Sequence, residues 1–155
     1  MGTDMDSRQW LAAGRVDLGA LRPFVVRYCR ARVGRRGSSF SVADAVAREV
    51  CADVVETWPE VRGQGRSFLS FVYGTAVRRV AAVPGAGSGV PAAELVELLP
   101  AQQREILLLR VTVGLSAEET ADAIGTTPGA VRVAQHRALN ELRRRLKGRP
   151  DRERV

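Results

Sequence analysis

Lysine is almost missing from this sequence: Lys147 is the only one in 155 residues, although Lys and Arg together number 24 against 17 acidic residues. The net charge of +7 is therefore carried on arginine, whose planar fork suits phosphates and guanine edges. A GC-rich genome that writes arginine for lysine is the competing explanation. Cysteine is scarce too. Cys29 and Cys51 lack Cys-x-x-Cys or Cys/His spacing and fall inside apolar helical patterns, so they read as buried small hydrophobes, with no disulfide and no zinc. His136 is the only histidine, without a carboxylate or thiol placed to serve it, which predicts no metal, no catalytic residue, no cofactor and no small-molecule substrate. No apolar run reaches the roughly 18 residues of a membrane span. The opening "MGTDMDSRQW" has no signal-like apolar stretch, so a cytoplasmic location is expected. No alternating strand pattern occurs, leaving an all-α expectation.

What the sequence does contain is charge sorted by position. From Glu94 to Asp122 there are six acidic residues and two basic ones; from Pro128 to Arg149 there are seven basic residues and one acidic. Codon bias alone would not sort charge this way, and a basic end points to a polyanionic partner. The stretch "VPGAGSGVP" interrupts every periodic pattern, which predicts an N-terminal helical module over 1–82, a linker over 83–93, a C-terminal module over 94–148 and a basic tail over 149–155. In the first module, Leu18, Leu21, Val25, Tyr28 and Cys29 mark one helix. Val46, Val50, Val54 and Trp58 mark a second that should stop before Pro59, and Phe68, Phe71, Val72, Thr75, Ala76 and Val80 mark a third capped by Ser67. The loop "RGQGR" lacks the preceding strand and GK[ST] ending of a phosphate cradle, so it reads as a turn.

The C-terminal module is denser in signals. A helix opens near Pro100, carries Ile106, Leu107, Leu109, Val111 and Val113, and ends at Gly114. Ser116 and Glu119 form a capping box for a two-turn helix burying Ala117, Thr120, Ala121 and Ile124. Gly125 stops it, and Thr127 with Pro128 starts another only three residues on. So tight a glycine-containing turn favours a helix-turn-helix. In its second helix Val131, Ala134, Ala138, Leu142 and Leu146 form the packed stripe. Arg132, Val133, His136, Arg137, Asn140 and Arg144 are left for the open side, where the first residues suit groove edges and the later arginines, Arg143 and Arg144 among them, suit phosphates. A solvated basic helix is the bland alternative. Thr127, at the helix start, completes the candidate DNA-binding set.

"LPAQQREILLLRVTVGLSAEETADAIGTTPGAVRVAQHRALNELRRRL", Leu99 to Leu146, resembles region 4 of bacterial RNA polymerase sigma factors of the extracytoplasmic-function group. "ADAVAREVCADVVETWPEVRGQGRSFLSFVYGTAVRRVA", Ala43 to Ala81, is similar to region 2 of the same family. The resemblance implies two helical modules with core RNA polymerase (clamp and flap) and promoter DNA as partners, and it allows an anti-sigma factor. The first module would engage the clamp and open the downstream element, and the second would read the upstream element. Asp44 and Glu49 are the clamp-binding candidates, with local helix capping an equal reading of Asp44. The sequence departs from the family pattern at Ala45 and Arg48, and its third helix offers only Arg78 and Arg79 before Pro84. These departures keep open the alternative of a sigma-like DNA-binding regulator without promoter melting. The connection from Ala82 to Ala93 spans at most roughly 40 Å when extended, which predicts strained simultaneous docking of both modules.

Overall fold

The computed structural model describes residues 17–86 and 98–148. Most of the expected linker, the first residues of the C-terminal module and the basic tail therefore lie outside the described residues. Among the described residues there are six α-helices and one π-helical segment, and no β-strand. No described helix is long and apolar enough to cross a membrane.

The N-terminal module is a three-helix unit of α1 (Leu18–Val33), α2 (Ser41–Val61) and α3 (Phe68–Ala81). Asp17 starts α1 by accepting the amides of Gly19 and Ala20, and Ser67 starts α3 by accepting that of Ser70. The apolar faces expected from the sequence converge: Leu21, Val25, Tyr28 and Cys29 meet Val46, Val50, Val54 and Trp58, and Phe68, Phe71 and Val80 close the third side. The Trp58 ring lies 5.1 Å from Phe68 and 5.5 Å from Phe71, centroid to centroid. Both cysteines are buried and free, and desolvation pushes the Cys29 thiol up to about 12. One boundary differs from expectation. α2 runs through Pro59 to Val61, with the Arg62 amide donating to the Trp58 carbonyl. Proline removes only the bond to the carbonyl four residues back, which belongs to solvent-exposed Val55 and can bond water instead.

In the C-terminal module, α4 (Ala101–Leu107) continues as a π-helical segment over Leu108–Val113; α5 (Ala117–Ile124) and α6 (Pro128–Lys147) follow. The apolar residues of α4 and its continuation divide among three clusters. Ile106 joins Ala117, Ala121 and Val131; Leu107 joins Leu99 and Ala138; Leu109 and Val113, with Leu115 beyond, join the N-terminal core. The wider π turn re-aims side chains that a uniform helix would stack on one stripe. It also leaves Val111, expected to be buried, 67% exposed. In α5 the buried set is Ala117, Thr120, Ala121 and Ala123, with Ile124 only half-buried, because a second face of this helix packs on α3. In α6, Val131 and Ala138 are fully buried and Ala134 and Leu142 half-buried, whereas Leu146 projects into solvent past the end of the packed face.

The two modules thus pack directly against each other. Leu109, Val113 and Leu115 sit over Leu21, Val25, Tyr28, Val72 and Ala76, around a small apolar cavity of about 50 Å³. Beside them the Glu105 carboxylate, 13% exposed, enters from α4. Its Oε1 accepts hydrogen bonds from the Tyr28 hydroxyl at 2.9 Å and the Tyr73 hydroxyl at 2.7 Å, and its Oε2 lies 3.7 Å from Arg32. Burial, followed by the Glu105 charge, pushes both phenols well above their ordinary range. Arg27 adds a bond to the Val113 carbonyl.

Candidate nucleic-acid interface

Local chemistry sets the angle between α5 and α6. Ser116 accepts the Glu119 amide at 3.0 Å while Glu119 accepts the Ser116 amide at 2.8 Å, the reciprocal capping box read from the sequence. Gly125 ends α5 at φ +77°, and Gly114 ends the π-helical segment at φ +87°, left-handed conformations that glycine adopts without strain. Thr127 caps α6 by accepting the Ala130 amide at 3.2 Å, with Pro128 at the first helical position. Its oxygen is thus committed locally while its hydroxyl proton is left for other use. Arg110 ties the unit together, donating to the Gln135 side chain and to the Leu115 carbonyl.

One face of α6 is open. Arg132, Val133, His136 and Arg137 are all exposed, Val133 by 50%. Arg132 is not idle: it donates to Glu118 of α5 at 2.6 Å, and both side chains are mostly exposed. Glu118 is held below the usual carboxylate range, first by a backbone hydrogen bond and then by Arg132. His136 contacts the Asn140 amide at 3.1 Å. Farther along, Glu141 pairs with both Arg144 and Arg145. Arg143 and Arg137 are exposed and form no ion pair with any other described residue. Arg137, Asn140, Arg143, Arg144 and Lys147 line an open groove whose other wall is Leu98, Pro100 and Gln103. The two arginines expected at phosphates therefore differ: Arg144 shares Glu141 with Arg145, and Arg143 stands apart.

The acidic candidates of the N-terminal module sit in a second network. Asp44 receives both arms of Arg30, at 2.8 and 2.9 Å, which holds its carboxyl below the ordinary range. The guanidinium in turn lies 4.8 Å from the centre of the Phe40 ring. Phe40, not Asp44, occupies the cap position of α2, so the capping reading of Asp44 is set aside. Glu49 lies 3.3 Å from Arg79, whose other nitrogens are held by Asp53 at 2.6 and 2.8 Å. The two candidates are therefore not bare acidic side chains, and Arg79 is fully occupied.

Four partners escaped the sequence reading: Glu118, Asp53, Glu141 and Glu105. The pairing of Glu141 with Arg145 had a signal, the i, i+4 spacing on one helix. The other three reach across helices, where sequence separation carries no information.

Comparison with known proteins fits this architecture. Residues 91–142 match the family model "Sigma-70, region 4". The chain is 48% identical to the ECF RNA polymerase sigma factor SigD of Mycobacterium tuberculosis over 81% of its own length and 73% of the relative's. It is 38% identical to the ECF RNA polymerase sigma factor ShbA of Streptomyces griseus, over 81% of this chain and 83% of that one. Among solved structures, CnrH in complex with the cytosolic domain of CnrY superposes with a TM-score of 0.56 at 18% identity, covering 96% of this chain and 92% of that one, a likeness of fold. Two relatives at this identity over four-fifths of the sequence place the chain in a family: it belongs to the ECF RNA polymerase sigma factors.

Proposed function

We propose that α6 is the promoter-reading helix of this sigma factor, with Arg132, Val133, His136 and Arg137 facing base edges of the upstream element. Thr127 contacts the backbone at the helix start, and Arg143 and Arg144 contact phosphates. The observation that carries this reading is the open, arginine-bearing face at the N-terminal end of a helix locked by caps at both sides of a three-residue turn. Arg132 exchanges Glu118 for a guanine edge on binding. Because exposed ion pairs contribute little, that exchange costs little. The N-terminal module engages core polymerase through the α2 surface that carries Asp44 and Glu49. The protein works in the cytoplasm as a specificity subunit and performs no bond chemistry of its own.

Binding of the complex with core polymerase to its promoter, mapped by footprinting, tests this reading. Loss of upstream protection in Arg132→Ala, with equal residual affinity for random DNA, is the expected result; equal loss on both DNAs makes Arg132 a phosphate contact. One observation favours a second reading, a sigma-like regulator without promoter melting: Arg79, one of two basic residues at the end of α3, is bound by Asp53 and Glu49. A permanganate assay for unpaired thymines at the downstream element separates the two readings.

A further inference from the structure

We propose that Asn140 is a positioning residue for His136: by holding Nε2 of the ring it commits Nδ1 to donate a hydrogen bond into the groove, so that His136 favours a base with an acceptor there and rejects cytosine. The proposal deepens the reading of α6 as the promoter-reading helix and rests on it.

The side-chain amide nitrogen of Asn140 lies 3.1 Å from His136 Nε2, one turn farther along the same exposed face of α6. An amide nitrogen only donates, so in the neutral ring Nε2 accepts and the single ring proton sits on Nδ1. That is the minor form of an unconstrained histidine. Nδ1 is then the ring nitrogen left for another partner, and it offers a donor.

The neighbouring side chains give this choice its meaning. Arg132 and Arg137, exposed on either side of His136 in sequence, carry donors and no acceptor. Gln135 could have supplied an acceptor, but Arg110 Nε occupies its side-chain oxygen at 2.9 Å. The Thr127 oxygen is likewise spent on the Ala130 amide. From Thr127 to Arg137 the open face of α6 therefore presents donors, with exposed Val133 as its apolar member. In the other ring form His136 would break this pattern with an acceptor. In the major groove a donor finds purine N7, guanine O6 or thymine O4, whereas cytosine presents only its amino group and would meet Nδ1–H as donor against donor. The bond between Asn140 and His136 is exposed and joins neutral groups, so it contributes little to stability. Its consequence is for base choice.

The ring can be read directly, because His136 is the only histidine in the chain. In the isotope-labelled full chain at about pH 8, where an ordinary imidazole is neutral, the proton–nitrogen spectrum should show wild type protonated on Nδ1 and Asn140→Ala shifted toward Nε2. Wild type protonated on Nε2 overturns the proposal. Wild type, Asn140→Ala, His136→Ala and the double variant, each in complex with core polymerase, should then select sites from a randomised duplex library. Wild type should exclude cytosine at one position, and His136→Ala should abolish that exclusion. Asn140→Ala should raise acceptance of cytosine there by roughly three- to tenfold, the size of one net hydrogen bond, with melting and overall affinity near wild type. The double variant should match His136→Ala alone, because Asn140 acts through the ring. Asn140→Ala with wild-type base choice overturns the proposal, and so does a uniform loss on all sequences that adds to that of His136→Ala, which makes Asn140 a phosphate contact. If His136→Ala leaves base choice intact while Arg132→Ala relaxes it, the proposal falls and the reading of α6 stands. If neither substitution changes base choice, the reading of α6 falls with it.

Discussion

The two modules are stabilised in different ways. The N-terminal one buries Trp58, Phe68, Phe71, Tyr28 and a run of valines in a single cluster drawn from three helices. Among the described residues the C-terminal one has two small clusters of its own, built from Ile106, Val131, Leu99, Leu107 and several alanines, and sends Leu109, Val113 and Leu115 to its neighbour. What it lacks in apolar volume it replaces with end chemistry: a capping box, a threonine cap, two left-handed glycines and the Arg110 tie. A domain of this size is marginal on its core alone, so the helix-turn-helix keeps its shape through caps and draws part of its stability from the module it packs against.

The largest effect should come from cutting the stronger core. Trp58→Ala removes the ring packed on Phe68 and Phe71 and should cost about 3–5 kcal/mol. If the C-terminal module depends on its neighbour, amides of α5 and α6 will lose hydrogen-exchange protection in this variant too. Ile106→Ala, at about 2–5 kcal/mol, should lower protection in the C-terminal module and leave α2 unaffected. Full protection of α6 in Trp58→Ala would mean that the modules are thermodynamically independent.

A second test contrasts the two arginine networks. Arg132→Ala should cost about 1–3 kcal/mol of discrimination at the cognate upstream element. Glu118→Ala, which frees Arg132 from its partner on α5, should tighten binding modestly on the same DNA. Replacing Arg143 should lower affinity on every sequence and reduce the salt slope by about one counterion, whereas replacing Arg145, already held by Glu141, should change the slope less. Equal slopes for the two would remove the distinction that Glu141 draws between them.

Ser116→Ala comes next, at about 1 kcal/mol. It breaks half of the capping box, and because the C-terminal module relies on its helix ends, the loss should appear in the melting of α5 and α6. Ser67→Ala, the matching cap on α3, removes an equal bond from a helix that a full core also holds. Its smaller effect on local exchange would sharpen the contrast between the modules; a larger one would reverse it.

Much of this was legible in the sequence because it is local. The caps read at Ser67, at Ser116 with Glu119 and at Thr127 each make their bond, whereas Asp44 caps nothing. The helical periodicity of the first module matches its buried faces except at Leu18, which is exposed at the start of α1. The departures share a cause: Val111, Leu146 and Ile124 continue one regular stripe in the sequence, and a π turn, a helix end and a second packed face each break the period. α2 passes Pro59 because the carbonyl left without its helical bond belongs to exposed Val55, where water can replace that bond. Of the candidate site, the residue types were readable, but their partners were not. Glu118, Asp53 and Glu105 meet arginines or tyrosines on other helices, and only the packing brings them together.

The smallest effect concerns Asp44 and Glu49, where the N-terminal module has its own exposed ion pairs to set beside those of α6. Arg30 holds Asp44 below its ordinary range, so the pair stabilises the fold above the unfolded carboxyl value near 3.8 and loses that contribution as pH falls through the depressed one. Asp44→Asn should therefore be slightly less stable than wild type at neutral pH, with the two curves converging in acid; curves that stay parallel down to the acid limit would show that the pair contributes nothing. Both oxygens of Asp44 are taken by Arg30, while Glu49 meets only one nitrogen of Arg79, at 3.3 Å, and is 56% exposed. Glu49 thus has the smaller internal attachment to give up when a basic surface approaches. Glu49→Gln should reduce co-purification with core polymerase more than Asp44→Asn does. The opposite order would make Asp44 the contact and require Arg30 to release it on binding, the same exchange assigned to Glu118 and Arg132 at the other end of the molecule.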